Sequence, residues 1–407
     1  MRVFLIQTAR GLFPSSGGYN ANIILLRCLA SRGHSVPQFC YSYRDEFETY
    51  GQMLANSGRP SLRLCQRLLC SRSGEGGLQV CVKVVELVME DGDEFVALET
   101  EALDEAFGGE HMYNDIARET AEYIETGKIS GRLYDFTCFL QQEIGRFSPT
   151  HIISSNGISI YASSTSNIPS LNVCHVAVVH TAEQLPFGPF AGGVPGHANS
   201  PREDNLLRKL DGILSVSNAI KQYALEYGQL QTSFFVHHPW TYLKRQNYEM
   251  PVHLHNWDKR FIVMINPCAV MGLQICIDLA KDCLQVGPTC TDMEEAWCDI
   301  EVLIVASLWF EARGIVVVEA YLRGILVISS NSGALSEDML GLPYIVPVNA
   351  LDGKRVRDTP EKWLEGLDEA ALEKWLIGLV GNTKKPEVAS AHAESAALSW
   401  IGQMSSL

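Results

Sequence analysis

The opening stretch, Arg2 to Ser42, constrains the fold more tightly than any other part of the chain. "RVFLIQT" is short and apolar and runs into turn residues, as a buried strand does. "ARGLFPSSGGYN" follows as a Gly/Pro/Ser-rich loop. "ANIILLRCLASRGH" carries apolar positions on a helical period, and Gly33 stands where glycine closes a helix in the left-handed conformation. "SVPQFCYS" reads as a second strand. Strand, loop, helix and strand in that order imply a parallel sheet, because parallel neighbours need a crossover that packs a helix on the sheet face.

The alternation continues and then restarts. The stretch 48–79 is less regular, its "SGRPS" and "SRSGEGG" segments reading as surface loops, and "LQVCVKVVELV" is β-branched and strand-like. Residues 113–147 read as helical. "THIISSNG", "NVCHVAVVH" and "DGILSVS" read as strands, and "QTSFFVHHPW" as one more strand end. A second set begins near 260 with the strand "RFIVMINPC" and the helix "MGLQICIDLAKDCL". The strand "IEVLIVASLW", the helix "GIVVVEAYLRG" and the strands "ILVISSNSG" and "LPYIVPV" complete it. The tail has helical patches at 360–380 and 387–404. The aperiodic segment "WTYLKRQNYEMPVHLHNWD" marks the boundary. The expected division is an N-terminal α/β domain over 1–245 and a C-terminal one over 246–385. A C-terminal helix over 386–407 could pack back on the first domain. Two such domains facing each other leave a cleft, the default place for a ligand.

With 407 residues, 46% of them apolar, there is material for two cores. The formal net charge of -15 and the lack of a basic stripe argue against a nucleic-acid binder. A local basic pocket for a phosphorylated small molecule is still compatible with that balance. The twelve cysteines form neither a CxxC pair nor a zinc-like cluster. They read as reduced, buried small hydrophobes, which fits a cytoplasmic compartment. The apolar stretch at the N-terminus is too short for a secretion signal, and no run is long enough to span a bilayer. The expectation is a soluble, unexported protein whose oligomeric state is not legible. Asp91 and Asp93 in "MEDGDEF" read as a solvated turn, so no metal site is expected.

"SLWFEARGIVVVEA" places Glu311 and Glu319 eight positions apart, with Gly314 and an apolar run between them. A helix wedged against a sheet explains that run best. On pattern alone the glutamates could be a helix cap and a solvated helix residue. They could also grip two parts of one elongated, hydroxyl-rich ligand near a helix N-terminus, which favours anions.

The segment from Ser307 to Glu337 resembles the nucleotide-sugar end of GT-B glycosyltransferases of family GT4, whose E-x7-E pattern Glu311 and Glu319 match. "PSSGGYNANIILLRCLASRGH", with Gly17 and Gly18, is similar to the family's Gly-rich first loop near the donor diphosphate. "LSVSNAIKQY" is similar to the last helix region of its N-terminal domain, where Ser217 and Asn218 could cap a helix. The resemblance covers roughly 1–45 and 130–400. It implies an α/β fold of GT-B type, two Rossmann-like domains with parallel sheets facing across a cleft. It places Glu311 near the donor sugar and Glu319 on the nucleotide's ribose. His180, at the end of a strand, would hydrogen-bond a sugar hydroxyl or shape the site. Asn331, Ser332 and Gly333 would offer backbone N–H groups to the sugar or phosphate. Ala334 replaces a second glycine there, and Glu337 takes the acidic position that follows. Glu183, Phe187, Gly188 and Asn156 are weaker candidates, the first three for the acceptor side.

Two departures stand out. Met271 occupies the place before Gly272 where the family's lysine would neutralise the pyrophosphate. Arg313, before Gly314, could supply that charge instead, with Lys281 and Arg323 as further possibilities. The interval 271–300 is also short, so either the C-terminal domain is pared down or the sequence comes from an imperfect gene model. The implied activity is a retaining glycosyltransferase. It would use a UDP- or GDP-linked sugar, with no further cofactor, and a small-molecule or glycan acceptor. The alternative is a weak or inactive GT-B-like protein that binds a nucleotide sugar or supports a partner.

Overall fold

The computed structural model describes residues 1–10, 17–56, 62–70, 79–88, 94–99, 118–119, 122–123, 125–155, 157–166, 172–191, 200–239, 259, 261–279 and 297–347. The first unit runs β1 (Val3–Arg10), α1 (Gly17–Ser31), β2 (Pro37–Ser42), α2 (Arg44–Asn56), β3 (Leu62–Cys70), β4 (Gln79–Val88) and β5 (Glu94–Glu99). It continues with α3 (Gly131–Phe147), β6 (His151–Ser154), α4 (Gly157–Ser164), β7 (Cys174–Val179), α5 (Pro201–Leu207), β8 (Gly212–Ser215), α6 (Asn218–Gly228) and β9 (Phe234–Val236). Its nine strands lie in the order β3-β4-β5-β2-β1-β6-β7-β8-β9. From β5 through β9 all neighbours in that order are parallel, while β3–β4 and β4–β5 are antiparallel.

The continuous apolar character of "VFLI" follows from burial on both faces. Phe4 and Ile6 point to one side, where Leu133, Phe136, Leu140 and Ile144 of α3 present a helical stripe. Val3 and Leu5 point to the other and meet Leu26 of α1. Burying each such side chain contributes on the order of 1.5–3 kcal/mol. Gly33 has φ +80° and donates to the Ala30 carbonyl, so α1 closes as expected.

The structure refines three expectations. The less regular stretch 48–79 holds the end of α2 and the whole of β3, which pairs with β4 along its full length, while the expected loops "SGRPS" and "SRSGEGG" lie outside the described residues. Arginines in β3 hide it from an apolar pattern. Arg67 is nevertheless buried, because Glu143 of α3 lies 3.1 Å from it. The supposed helix 113–147 is interrupted. Gly127 takes φ +76°, and Ser130 caps α3 by accepting from the Leu133 N–H at 3.0 Å. The cysteines are also less uniform than expected: Cys40 and Cys276 are buried, but Cys268 and Cys298 are exposed.

The second unit runs β10 (Phe261–Val263), α7 (Leu273–Leu279), β11 (Ile300–Val305), α8 (Ile315–Leu322), β12 (Leu326–Ser330), α9 (Leu335–Asp338) and β13 (Ile345–Val346). Its strands stand in chain order and are all parallel. The apolar run is the helix α8, buried from Val317 to Leu322. The boundary segment 240–258, the tail helices, the 386–407 helix, Asp91, Asp93, Asn156, Lys281 and much of the 271–300 interval lie outside the described residues. Among the described residues no helix is long and apolar enough to cross a membrane.

Candidate active site

The carboxyl ends of parallel strands carry the candidate groups, as open α/β sheets require. His180 follows β7. Its backbone N–H donates to Gln184 Oε1 at 2.6 Å, and Gln184 Nε2 donates to the Ser155 carbonyl at 2.7 Å. This ties the ends of β6 and β7 together. The His180 ring places Nε2 2.8 Å from Asn22 Oδ1 of α1. Asn22 spends an amide hydrogen on Gln7 Oε1 at 3.0 Å, so its oxygen faces the ring. His180 Nε2 therefore carries the hydrogen and Nδ1 is the acceptor. Burial, then the nearby His237, lowers the His180 pKa to about 4, so the imidazole is neutral at pH 7. Gly17 and Gly18 begin α1. A Cβ on Gly18 would stand 2.9 Å from His180 Cγ, so glycine is what lets the helix start against that ring.

In the second unit, β11 leads into Ala306–Phe310 and then Glu311. Gly272, with φ +83°, lies so close to this segment that a Cβ would fall 2.3 Å from the Ala306 carbonyl oxygen. The loop Asn331-Ser332-Gly333 grips the same segment from the other side. Ser332 Oγ donates to the Trp309 carbonyl at 2.5 Å, and the Ala334 N–H donates to the Glu311 carbonyl at 2.7 Å. Asn331 is exposed and Ser332 buried.

Glu311 is half-buried. Burial, then Asp338 and Glu183, pushes its carboxyl up to about 8, so it holds its proton at neutral pH. Glu319 is only 8% exposed and is not the solvated helix residue that pattern alone allowed. It sits roughly 7.5 Å along the helix axis from the Gly314 cap.

Arg313 is buried and paired with Asp338, whose other oxygen accepts the Gly314 N–H at 2.5 Å. Burial raises the Asp338 pKa to about 6, against the opposing pull of Arg313 and Gly314. The arginine thus fastens the start of α8 to α9. Arg323 departs from the expectation of a cleft cation. It donates to the Glu319 carbonyl at 2.9 Å and stacks on Trp297 of the core, 4.9 Å from the ring centroid. Met271 receives Ser307 Oγ at its sulfur, 3.3 Å away, and brings no charge.

The units meet at these same strand ends. Trp309 Nε1 donates to Glu183, three residues after His180. Phe190 packs edge-on against Trp309 at 4.7 Å between centroids, and Tyr223 lies 5.4 Å from Phe310. Glu337 of α9 accepts from the backbone N–H of Asn218 at 2.9 Å and from its side chain at 3.0 Å, at the start of α6. His238 Nε2 lies 3.5 Å from the same carboxylate. Ser217 caps α6 by accepting from the Ile220 N–H at 3.2 Å. Phe187 and Gly188 pack in their loop against Tyr223. The sequence reading missed His237 and His238. Their signal was the one that picked out His180, a histidine at the carboxyl end of a parallel strand.

No protein-family model and no curated protein sequence matches the chain. Solved structures do match it in fold. Sucrose-phosphate synthase from Thermosynechococcus elongatus is 13% identical at a TM-score of 0.53, with 99% of this chain and 98% of that one covered. The catalytic domain of starch synthase IV from Arabidopsis thaliana, bound to ADP and acarbose, is 12% identical at 0.55, covering 97% and 99%. HepE from Anabaena in complex with UDP is 11% identical at 0.51, covering 100% of each. The fold is therefore of GT-B type, two Rossmann-like domains with their strand ends opposed.

Proposed function

We propose that the chain is a retaining glycosyltransferase that moves a sugar from a nucleoside-diphosphate donor to a small-molecule or glycan acceptor. One observation carries this reading. His180 and Glu311 stand at strand ends of opposite domains, and Glu183, three residues after the first, accepts a hydrogen bond from Trp309, two residues before the second. In this reading the acceptor oxygen attacks the anomeric carbon while the bond from that carbon to the diphosphate oxygen breaks on the same face. The departing phosphate oxygen takes the acceptor's proton. Neutral Glu311 can donate a hydrogen bond to a sugar hydroxyl, and His180 Nδ1 can accept one. Glu319 would hold the ribose, and the backbone around Gly17, Gly18 and Asn331–Gly333 would face the donor, while the Gly314 N–H is already given to Asp338. Fixed dipoles of this kind stabilise developing phosphate charge without reorganising. Membership of family GT4, a cytoplasmic location and a domain division at 245/246 belong to the same proposal.

A non-catalytic GT-B-like binder is the second reading, favoured by uncharged Met271 and by the commitment of Arg313 to Asp338. Turnover separates them. UDP-, GDP- and ADP-linked sugars are offered with a panel of hydroxyl acceptors, and nucleoside diphosphate release and product anomer are followed by NMR. The proposal expects transfer with retention, and a loss of at least about 100-fold in folded Glu311→Ala. Binding of a nucleotide sugar without any release in the wild type would move the case to the second reading.

A further inference from the structure

The ends of the first domain's strands carry histidines that the motif pattern does not contain. β9 ends at Val236, and the His237 N–H extends its ladder to the Ser215 carbonyl at 2.8 Å. His237 and His238 therefore stand at the same strand-end level as His180. His238 reaches across to Glu337 of the second domain. His180, His237, His238 and Arg313 are thus close enough to feel one another's charge, at the first domain's strand ends and the start of α8. Gly18 abuts the first of them, and Gly314 adjoins the last. Among the described residues no group of His, Cys, Asp or Glu is gathered to hold a metal ion. A multivalent anion is the ligand such a set suits.

We infer that His237 and His238 hold the diphosphate of a nucleotide-sugar donor and take up a proton when it binds, in place of the lysine that Met271 displaces. The inference rests on the donor reading above. The charges around the pair set the proton's behaviour. His237 faces His238 on its own segment, Arg313 from the loop before α8, and His180 from the end of β7. His238 faces Arg313, which opposes its protonation, and Glu337 of α9, which favours it. Asp338 lies behind Arg313 as its partner. Burial, then His238 and Arg313, lowers the His237 pKa to about 4, and burial and Arg313 lower that of His238. At pH 7 these histidines are therefore mostly neutral beside Arg313. A diphosphate reverses the sign of the local field and draws a proton onto the pair.

The test is calorimetry of the full chain with UDP, GDP and ADP at pH 6.5, in two buffers of different ionisation heat. Each parent nucleoside serves as a control. Proton uptake should accompany diphosphate binding but not nucleoside binding, and Kd should rise by up to about tenfold per pH unit for each proton taken up. His237→Gln and His238→Gln should each weaken the diphosphate at least about tenfold, leave nucleoside affinity unchanged and reduce the uptake. The inference is overturned if the wild type binds a diphosphate without proton uptake and both variants bind it equally well. A wild type that binds none of the three diphosphates instead removes the donor reading itself, and the inference with it.

Discussion

Gly333→Ala should cost more than any other glycine substitution near the cleft, and the cost can be worked out. Gly333 has φ +58°, and an alanine in the left-handed region loses about 1–2 kcal/mol. Its Cβ would also stand 2.1 Å from the Glu311 carbonyl oxygen, against the 3.0 Å below which real Cβ contacts essentially never fall. The two backbones must part by the difference, 0.9 Å, which stretches the Ala334 N–H bond to Glu311 from 2.7 to about 3.6 Å. Losing that bond adds about 1 kcal/mol, for a total of about 2–3 kcal/mol. Gly341→Ala is the control, because Gly341 has φ +78° but nothing within 4 Å of its Cβ position. Urea unfolding of both variants isolates the clash. Gly333→Ala should be the less stable by about 1 kcal/mol or more. Its turnover should fall by roughly 100-fold, because Glu311 moves by nearly 1 Å. Equal midpoints for the two variants would refute the claim that this loop clamps Glu311.

Gly18→Ala should displace the His180 ring and cut turnover at least about tenfold with little change in melting temperature, checked by steady-state kinetics beside a thermal melt. The Glu311 carboxyl goes from 4.5 in its ordinary state to about 8 in the fold, so the native state binds more protons and this contribution to stability falls as pH rises from 4.5 through 8. Glu311→Gln removes it, so the variant's melting temperature should gain on the wild type between pH 5 and pH 8; a gap that narrows in the other direction would contradict the assignment. Removing one partner of the buried Arg313–Asp338 pair should cost about 3–5 kcal/mol, and a double-mutant cycle in urea should show strong coupling between them.

The parts of this fold that were legible were those where burial leaves a mark along the chain. Strands β1, β11 and β12 are covered on both faces, so their apolar runs are unbroken, and Gly33 and Ser217 announce helix ends by local chemistry. Strand β3 was not legible, because its buried Arg67 is held by a partner 76 residues away, Glu143. The fastening of Arg313 to Asp338, 25 residues on, was hidden for the same reason. Spacing placed Glu311 and Glu319 but could not say whether Glu319 met solvent, since that depends on what covers the rest of the helix. His237 and His238 follow a strand as His180 does, but strand position alone does not show which charges face them. Only the opposed strand ends bring them to Arg313.

The central claim is that one nucleotide sugar is held by both domains at once. Hydrogen–deuterium exchange during titration with UDP, GDP or ADP tests it directly. Backbone amides over 17–22 and over 309–335 should gain protection together, along a single saturation curve with the same midpoint as ligand binding. A diphosphate that binds tightly while leaving either segment's exchange unchanged would contradict it.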